Sequence, residues 1–187
     1  DLRLNAKYSA LSPVFLSNIY FWLYSGYFDP SSQTNILLHT WSLSVEWQFY
    51  MIYPLLLWPL RNLYMKQRRL FVIIFGVFTL LSFLLMPILT SDYNSFSFYM
   101  FPTRAWEMTL GGLATILSPK LIEVFLKKKI KKIVVIVCYL ILVVCTVFID
   151  ETMIWPSIVT IVPTIAVFFI LFLNEDFKIL KNKGLQF

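Results

Sequence analysis

Charge is what this chain has least of. Only 14% of its 187 residues are Asp, Glu, Lys or Arg, against 59% hydrophobic. No soluble domain of this size needs so much apolar surface, so an ordinary globular fold is excluded. Histidine occurs once and cysteine twice, and no Cys/His cluster has metal-ligand spacing, so no metal is expected. Cys138 and Cys145 lie on one apolar run, about 10 Å apart along a helix axis, too far to form a disulfide. They read as small packing residues. Glycine is scarce, at five. The chain has no Gly-rich phosphate loop and no nucleophile elbow. It also has no internal repeat and none of the basic region and cleavage site of a signal peptide.

What the chain does have is long apolar runs, and the mean hydropathy is +0.74. The fold class they imply is an all-α integral membrane protein, a polytopic bundle of about six transmembrane helices in one domain over residues 1–187. The expected spans are residues 10–28, 42–60, 70–89, 98–117, 133–149 and 155–173. The second is expected to stop at Pro59, and the last carries Pro163 in its middle. Aromatic residues gather near the span ends, where amphipathic rings settle at headgroup level.

The sixteen Lys and Arg residues set an orientation. Two precede the first span, four follow the second, six follow the fourth and three lie in the tail. The alternate loops hold none, and only Arg104 is left over. By the positive-inside rule the N-terminus, the basic loops and the tail are cytoplasmic, while His39, Asp92 and Asp150 face out. The net charge of +6 therefore reflects membrane topology, and no nucleic-acid partner is expected. The lysine-rich segment at 127–132 reads as a collar for lipid headgroups, with guidance of an anionic acyl-CoA as the sharper reading.

Against this apolar background a few polar residues stand out. The segment His39-Thr-Trp-Ser-Leu-Ser-Val-Glu-Trp-Gln-Phe-Tyr50 opens the second span with Ser42, Ser44, Glu46 and Gln48 at membrane depth. A carboxylate there costs at least a few kcal/mol unless it is paired, protonated or facing water, so Glu46 marks a candidate site. At about 100° per residue Ser42, Glu46, Tyr50 and Tyr53 share one helix face, while Leu43, Val45 and Trp47 turn elsewhere. In the fourth span Arg104 and Glu107 share a face with Gly111 and Thr115, a charge pair followed by small residues that permit close helix approach. Two readings are open for this pair. It is a structural ion pair, or it lines one cavity together with Glu46. The lone His39 reads as a cap or an incidental hydrogen-bonding residue.

The segment 39–50, continued by Tyr53-Pro-Leu-Leu-Leu57, resembles the signature of membrane acyltransferase family 3, the O-antigen and peptidoglycan O-acetylases. Three further blocks agree in order and spacing: Ser17 to Trp22 with Gly26 to Asp29, Phe101-Pro-Thr-Arg-Ala-Trp-Glu107 with Gly111-Gly112, and Trp155-Pro156 with Val162-Pro-Thr164. The resemblance implies transfer of an acyl group, usually acetyl from acetyl-CoA, onto hydroxyls of a cell-surface polysaccharide such as lipopolysaccharide O-antigen. It implies a multi-pass protein of the bacterial plasma (inner) membrane. Carried over by position, Glu46 is the motif carboxylate with a catalytic role, and Arg104 and Glu107 match the family's Arg-x-x-Glu. His39, Trp41, Ser42, Gln48, Tyr50 and Trp106 would line the site around them. The essential first-span histidine and arginine motif of the family have no counterpart in these residues, so His39 is not given that role. The expected partners are the lipid bilayer, the polysaccharide acceptor and further N-terminal spans of a parent chain. The segment alone is expected to be inactive. Two other functions compete, a transport subunit for lipid-linked sugar and a non-catalytic remnant.

Overall fold

The computed structural model describes residues 15–24, 39–117, 128–149 and 156–173. Among them every regular element is helical. These elements are α1 (Ser17–Tyr24), α2 (Thr40–Lys66), α3 (Arg68–Asp92), α4 (Asn94–Tyr99), α5 (Phe101–Ile116), α6 (Lys128–Phe148), a 3₁₀ turn (Ile158–Thr160) and α7 (Ile161–Leu173). Two of them, α3 and α6, are long and apolar enough to cross a membrane; α7 with its 3₁₀ turn is apolar but shorter. Of the first expected span only residues 15–24 are described, and Ser17–Tyr24 of them are helical. Lys120, Lys127, Asp150, Trp155 and the tail from Asn174 lie outside them.

Proline position decides where several helices differ from expectation. α2 does not stop at Pro59 but runs through Pro54 and Pro59 to Lys66. Each proline removes one backbone bond while the rest of this 27-residue helix keeps its ladder. The helix ends at Gln67, whose N–H donates to the carbonyl of Leu63. Pro163 is likewise not a mid-span break. It sits in the first turn of α7, where a missing N–H costs nothing. The expected fourth span is two helices, because Met100 is extended and separates α4 from α5.

The chain divides into two compact units, residues 1–108 with 155–157, and residues 109–154 with 158–187. In the first, α1 packs on α2 and α4, and α2 packs on α3. Its core joins Phe21, Trp41, Val45, Phe98 and Tyr99, with Met100, Phe101 and Met108 against them. α3 turns a stripe of Phe71, Phe75, Thr79, Ser82 and Met86 inward, a spacing of three and four that follows the helical period. In the second unit α6 packs on α7 around Val135 and Leu173.

Polar side chains tie the first unit together where hydrocarbon offers them nothing. Ser17 Oγ and Ser44 Oγ are 2.7 Å apart, and Thr40 donates to Ser17 at 3.2 Å. Asn18 and Gln48 form a reciprocal amide pair, with Gln48 Nε2 donating to Asn18 Oδ1 at 2.9 Å and Asn18 Nδ2 donating back at 3.4 Å. The amides' remaining donor capacity goes to backbone, from Asn18 to the carbonyl of Tyr99 and from Gln48 to that of Phe15. Two polar dyads, Ser17-Asn18 and Ser44/Gln48, thus fix the register of α1 on α2.

α5 is braced from α3. Ser82 Oγ donates to the carbonyl of Pro102 at 2.6 Å and accepts from the N–H of Trp106 at 2.9 Å, so it bridges two backbone groups one helical turn apart. Ser82→Ala is expected to lower stability by about 1–2 kcal/mol, because a buried bridge loses both its bonds. Thermal unfolding in detergent measures this, and an unchanged midpoint would mean that the two backbone groups satisfy each other unaided. The small residues further along α5 play a lesser part than expected. A methyl group at Gly111 would meet Leu171 at an ordinary 3.8 Å, and Thr115 is exposed. Gly111→Ala is therefore expected to be neutral or to stabilise by up to about 1 kcal/mol through helix propensity. A lowered midpoint in the same melt would show that the helices need the closer approach.

Candidate active site

The α4–α5 corner sets the position of the Phe101 to Glu107 motif. Thr103 is buried, and its hydroxyl reaches the carbonyls of Ser97 (2.7 Å) and Met100 (2.9 Å), where the extended residue leaves backbone acceptors free. Ser97 is held in turn by Thr90, at 2.7 Å. The turn from Pro102 to Trp106 is thus clasped by Thr103 at its start and by Ser82 along its length. Trp106 is buried with its ring edge-on to Phe83.

Arg104 rises from this turn. Its Nη2 donates to Glu107 Oε2 at 3.2 Å, and both side chains are sheltered, with 17% and 20% exposure. The guanidinium also lies over the Trp41 ring, 5.2 Å from its centroid. Trp41 is buried at the start of α2, against Phe98 and Tyr99. A cation over tryptophan in a desolvated setting gains about 2 kcal/mol, so ring and carboxylate together fix the guanidinium. Glu107 Oε1 is buried and has no hydrogen-bond partner among the described residues. A buried acceptor left without a donor costs about 1–3 kcal/mol. One carboxylate oxygen is therefore held by arginine while the other is ready to take a hydrogen bond.

The remaining predicted site residues fall on different faces of α2. The inward face is Trp41, Ser44, Val45 and Phe49, with Gln48 half-buried beside them. Val45, expected to turn away, is only 2% exposed. The stripe expected to be buried is the outer one: Glu46 and Tyr50 are exposed, and Ser42 and Tyr53 are half-buried. Ser42 donates to the carbonyl of His39, and His39 is exposed and makes no side-chain cap bond. Among the described residues Glu46 has no hydrogen bond or ion pair, and it lies about 140° around the helix from Trp41. The structure brings Trp41, Arg104 and Glu107 together and leaves Glu46 outside that group. Sequence reasoning missed Ser17, Asn18, Ser82 and Thr103, which position the site without entering it. The signal for the first two was a matched pair of polar dyads in consecutive apolar runs.

The family model described as an acyltransferase domain matches residues 6–181. The chain belongs to the membrane acyltransferase family 3. A protein of Haemophilus influenzae with no assigned function is 32% identical over 174 residues, covering 88% of this chain and 69% of the relative. A Komagataeibacter xylinus protein, provisionally named the membrane-bound transacylase BcsY, is 35% identical over 124 residues, or 65% of this chain and 30% of its own. A Bacillus subtilis protein, provisionally named the peptidoglycan O-acetyltransferase YrhL, is 30% identical over 161 residues, or 81% of this chain and 25% of its own. The chain therefore spans less than a third of the two relatives that carry a functional name. No solved structure matches it.

The match places the chain in a family of membrane acyltransferases. Among the described residues the ionisable side chains that meet in space here are Arg104 and Glu107.

Proposed function

We propose that the protein of which this chain forms the acyltransferase domain transfers an acetyl group from acetyl-CoA to a hydroxyl of a cell-surface polysaccharide, with Arg104 and Glu107 at the reacting centre. The observation that carries the reading is the Arg104/Glu107 pair, held over Trp41, with one buried carboxylate oxygen unpartnered among the described residues. The sugar hydroxyl attacks the thioester carbonyl carbon. A C–O bond forms, the C–S bond breaks, and coenzyme A leaves as its thiol with the proton the hydroxyl gave up. Glu107 Oε1 accepts the hydrogen bond from the attacking hydroxyl and draws its proton. Arg104 has five N–H donors, of which the carboxylate engages one group, and the others face the negative charge that develops on the carbonyl oxygen.

The names of the Komagataeibacter and Bacillus relatives support acyl transfer, and the second supports a glycan acceptor. A lipopolysaccharide O-antigen is one acceptor of that class. α2, α3, α5, α6 and α7 are proposed to lie within the plasma membrane as parts of a multi-pass bundle. The lysines at the start of α6, among them Lys129 and Lys132, are suited to headgroups or to the phosphates of the donor. A helix broken at Pro163 would suit the competing transport reading, in which buried charges line a path for a lipid-linked sugar, but that residue lies in the first turn of α7.

The test uses membranes containing the full-length protein, supplied with acetyl-CoA labelled in its acetyl group. Label is expected in alkali-labile esters on surface polysaccharide, and to depend on both Arg104 and Glu107. Export of the glycan without label would sink the proposal and favour transport.

A further inference from the structure

We infer that the corner between α2 and α3 binds an anionic phospholipid, its phosphate met by Arg61 and Asn62 and its acyl chains laid against Trp58 and Leu55. This rests on the reading above that α2 and α3 cross the bilayer. Ring contacts fix which face of α2 is turned to α3: Tyr53 meets Phe75, and Tyr64 meets Phe71. At about 100° per residue Leu55, Trp58, Asn62 and Met65 share a face turned away from those contacts, with Arg61 and Lys66 at its two edges. Leu55, Trp58 and Met65 are 66%, 76% and 75% exposed, and Arg61, Asn62, Lys66 and Arg69 are exposed as well. Arg68 is placed elsewhere, over the Tyr64 ring at 5.9 Å.

Charge selects an anion. No Asp or Glu lies between Glu46 and Asp92, so neither helix supplies the corner with a countercharge. Among the described residues Arg61, Lys66 and Arg69 make no ion pair. Residues 1–14, 118–127 and 174–187, which the orientation puts on the same side, each hold one more base than acid. Whichever of them lies near adds positive charge instead of cancelling it. The order of side chains along the exposed face then selects a lipid among anions. It runs from apolar at Leu55 through aromatic at Trp58 to cationic at Arg61, over six residues or about 9 Å. Acyl chain, glycerol and phosphate follow one another in the same order, with the indole at headgroup level. A soluble anion would match only the cations. A zwitterionic lipid covers its phosphate with a cation of its own, which leaves the corner's charge unmatched, whereas an anionic headgroup answers it. The guanidinium fork of Arg61 meets a phosphate with two parallel bonds, and Lys66 and Arg69 add to the attraction as charges.

The experiment reconstitutes the full-length protein in vesicles of phosphatidylcholine and phosphatidylglycerol in equal parts. A trace of one lipid or the other carries a photoreactive group near the glycerol end of a chain, and adducts are mapped by peptide mass spectrometry. The phosphatidylglycerol probe is expected to label residues 55–65 at least about five-fold more than the phosphatidylcholine probe, the preference that one cation at an anionic surface confers. Ile88 on α3 is the comparison, exposed and in a stretch without Lys or Arg from Leu70 to Thr103, and should show no such preference. Exchanging Arg61, Lys66 and Arg69 together for glutamine should bring the ratio at 55–65 close to one, while the same exchange at Lys129, Lys131 and Lys132 of α6 should leave it unchanged. Arg61→Gln alone should lower it several-fold, and serves if the triple variant fails to insert. Equal labelling by the two probes, no label at 55–65 from either, or a preference that survives the triple exchange would overturn the inference. So would loss of label on adding excess acetyl-CoA, which would assign the corner to the donor. Ile88 keeps the two readings apart: if both probes label it, a failure at 55–65 refutes the lipid site alone, and if neither does, the placement of α3 in the bilayer fails and the site with it.

Discussion

Arg104→Ala in the full-length protein is expected to cut acetyl transfer by about 10²–10³-fold, the range seen when one preorganised donor to a developing oxyanion is removed. Arg104 is held by two partners on different helices, Glu107 at 3.2 Å and the Trp41 ring at 5.2 Å, so its guanidinium is preorganised before any substrate arrives. Arg104→Lys keeps the charge but loses the fork, and is expected to recover only part of the activity. Glu107→Gln keeps the shape and should lose turnover more than binding, since a carboxamide still accepts a hydrogen bond but no longer draws a proton. Rates are measured as label transferred per unit of membrane-inserted protein. That normalisation matters, because Arg104→Ala also removes the contact with Trp41, and reduced abundance would otherwise pass for reduced chemistry. Wild-type turnover by Arg104→Ala at normal abundance would leave the pair a purely structural one.

The largest effect on stability is expected at the Asn18/Gln48 pair. Gln48→Leu leaves the buried Asn18 without its best partner, at 2.9 Å, and Phe15 without a donor to its carbonyl. A loss of about 2–3 kcal/mol follows from stranding buried polar groups. Replacing both residues by leucine should cost less than the sum of the single changes, because the two amides then disappear together. The double-mutant cycle is read from thermal unfolding in detergent. Additive losses would mean that the amides are independent of each other, contrary to their reciprocal geometry.

Much of the helical framework was legible in the apolar runs. The third run, 70–89, lies inside α3, and the second begins within two residues of α2. Hydropathy alone handled proline poorly. Pro59 reads as a stop and Pro163 as a break, yet one is absorbed by a long helix and the other begins one. The break that does exist, at Met100, is announced by Pro102 in the first turn of α5, a signal the apolar run masks, and it is held by hydroxyl bonds from Thr103 that only the folded chain reveals. At the site, the spacing of Arg104 and Glu107 was enough to predict their pairing. The face assignment on α2 was not legible, because Glu46 carries the strongest polar signal while the uncharged Ser44 and Gln48 are what turn inward.

The way Ser82 and Thr103 grip the turn from Pro102 to Trp106 bears on how a reaction could run here. Arg104 sits inside that turn, so the guanidinium is mounted on a stationary post and has little freedom to swing toward an arriving sugar. Donor and acceptor must be delivered to it, and whatever travel the catalytic cycle demands falls to the substrates and to the helices that escort them.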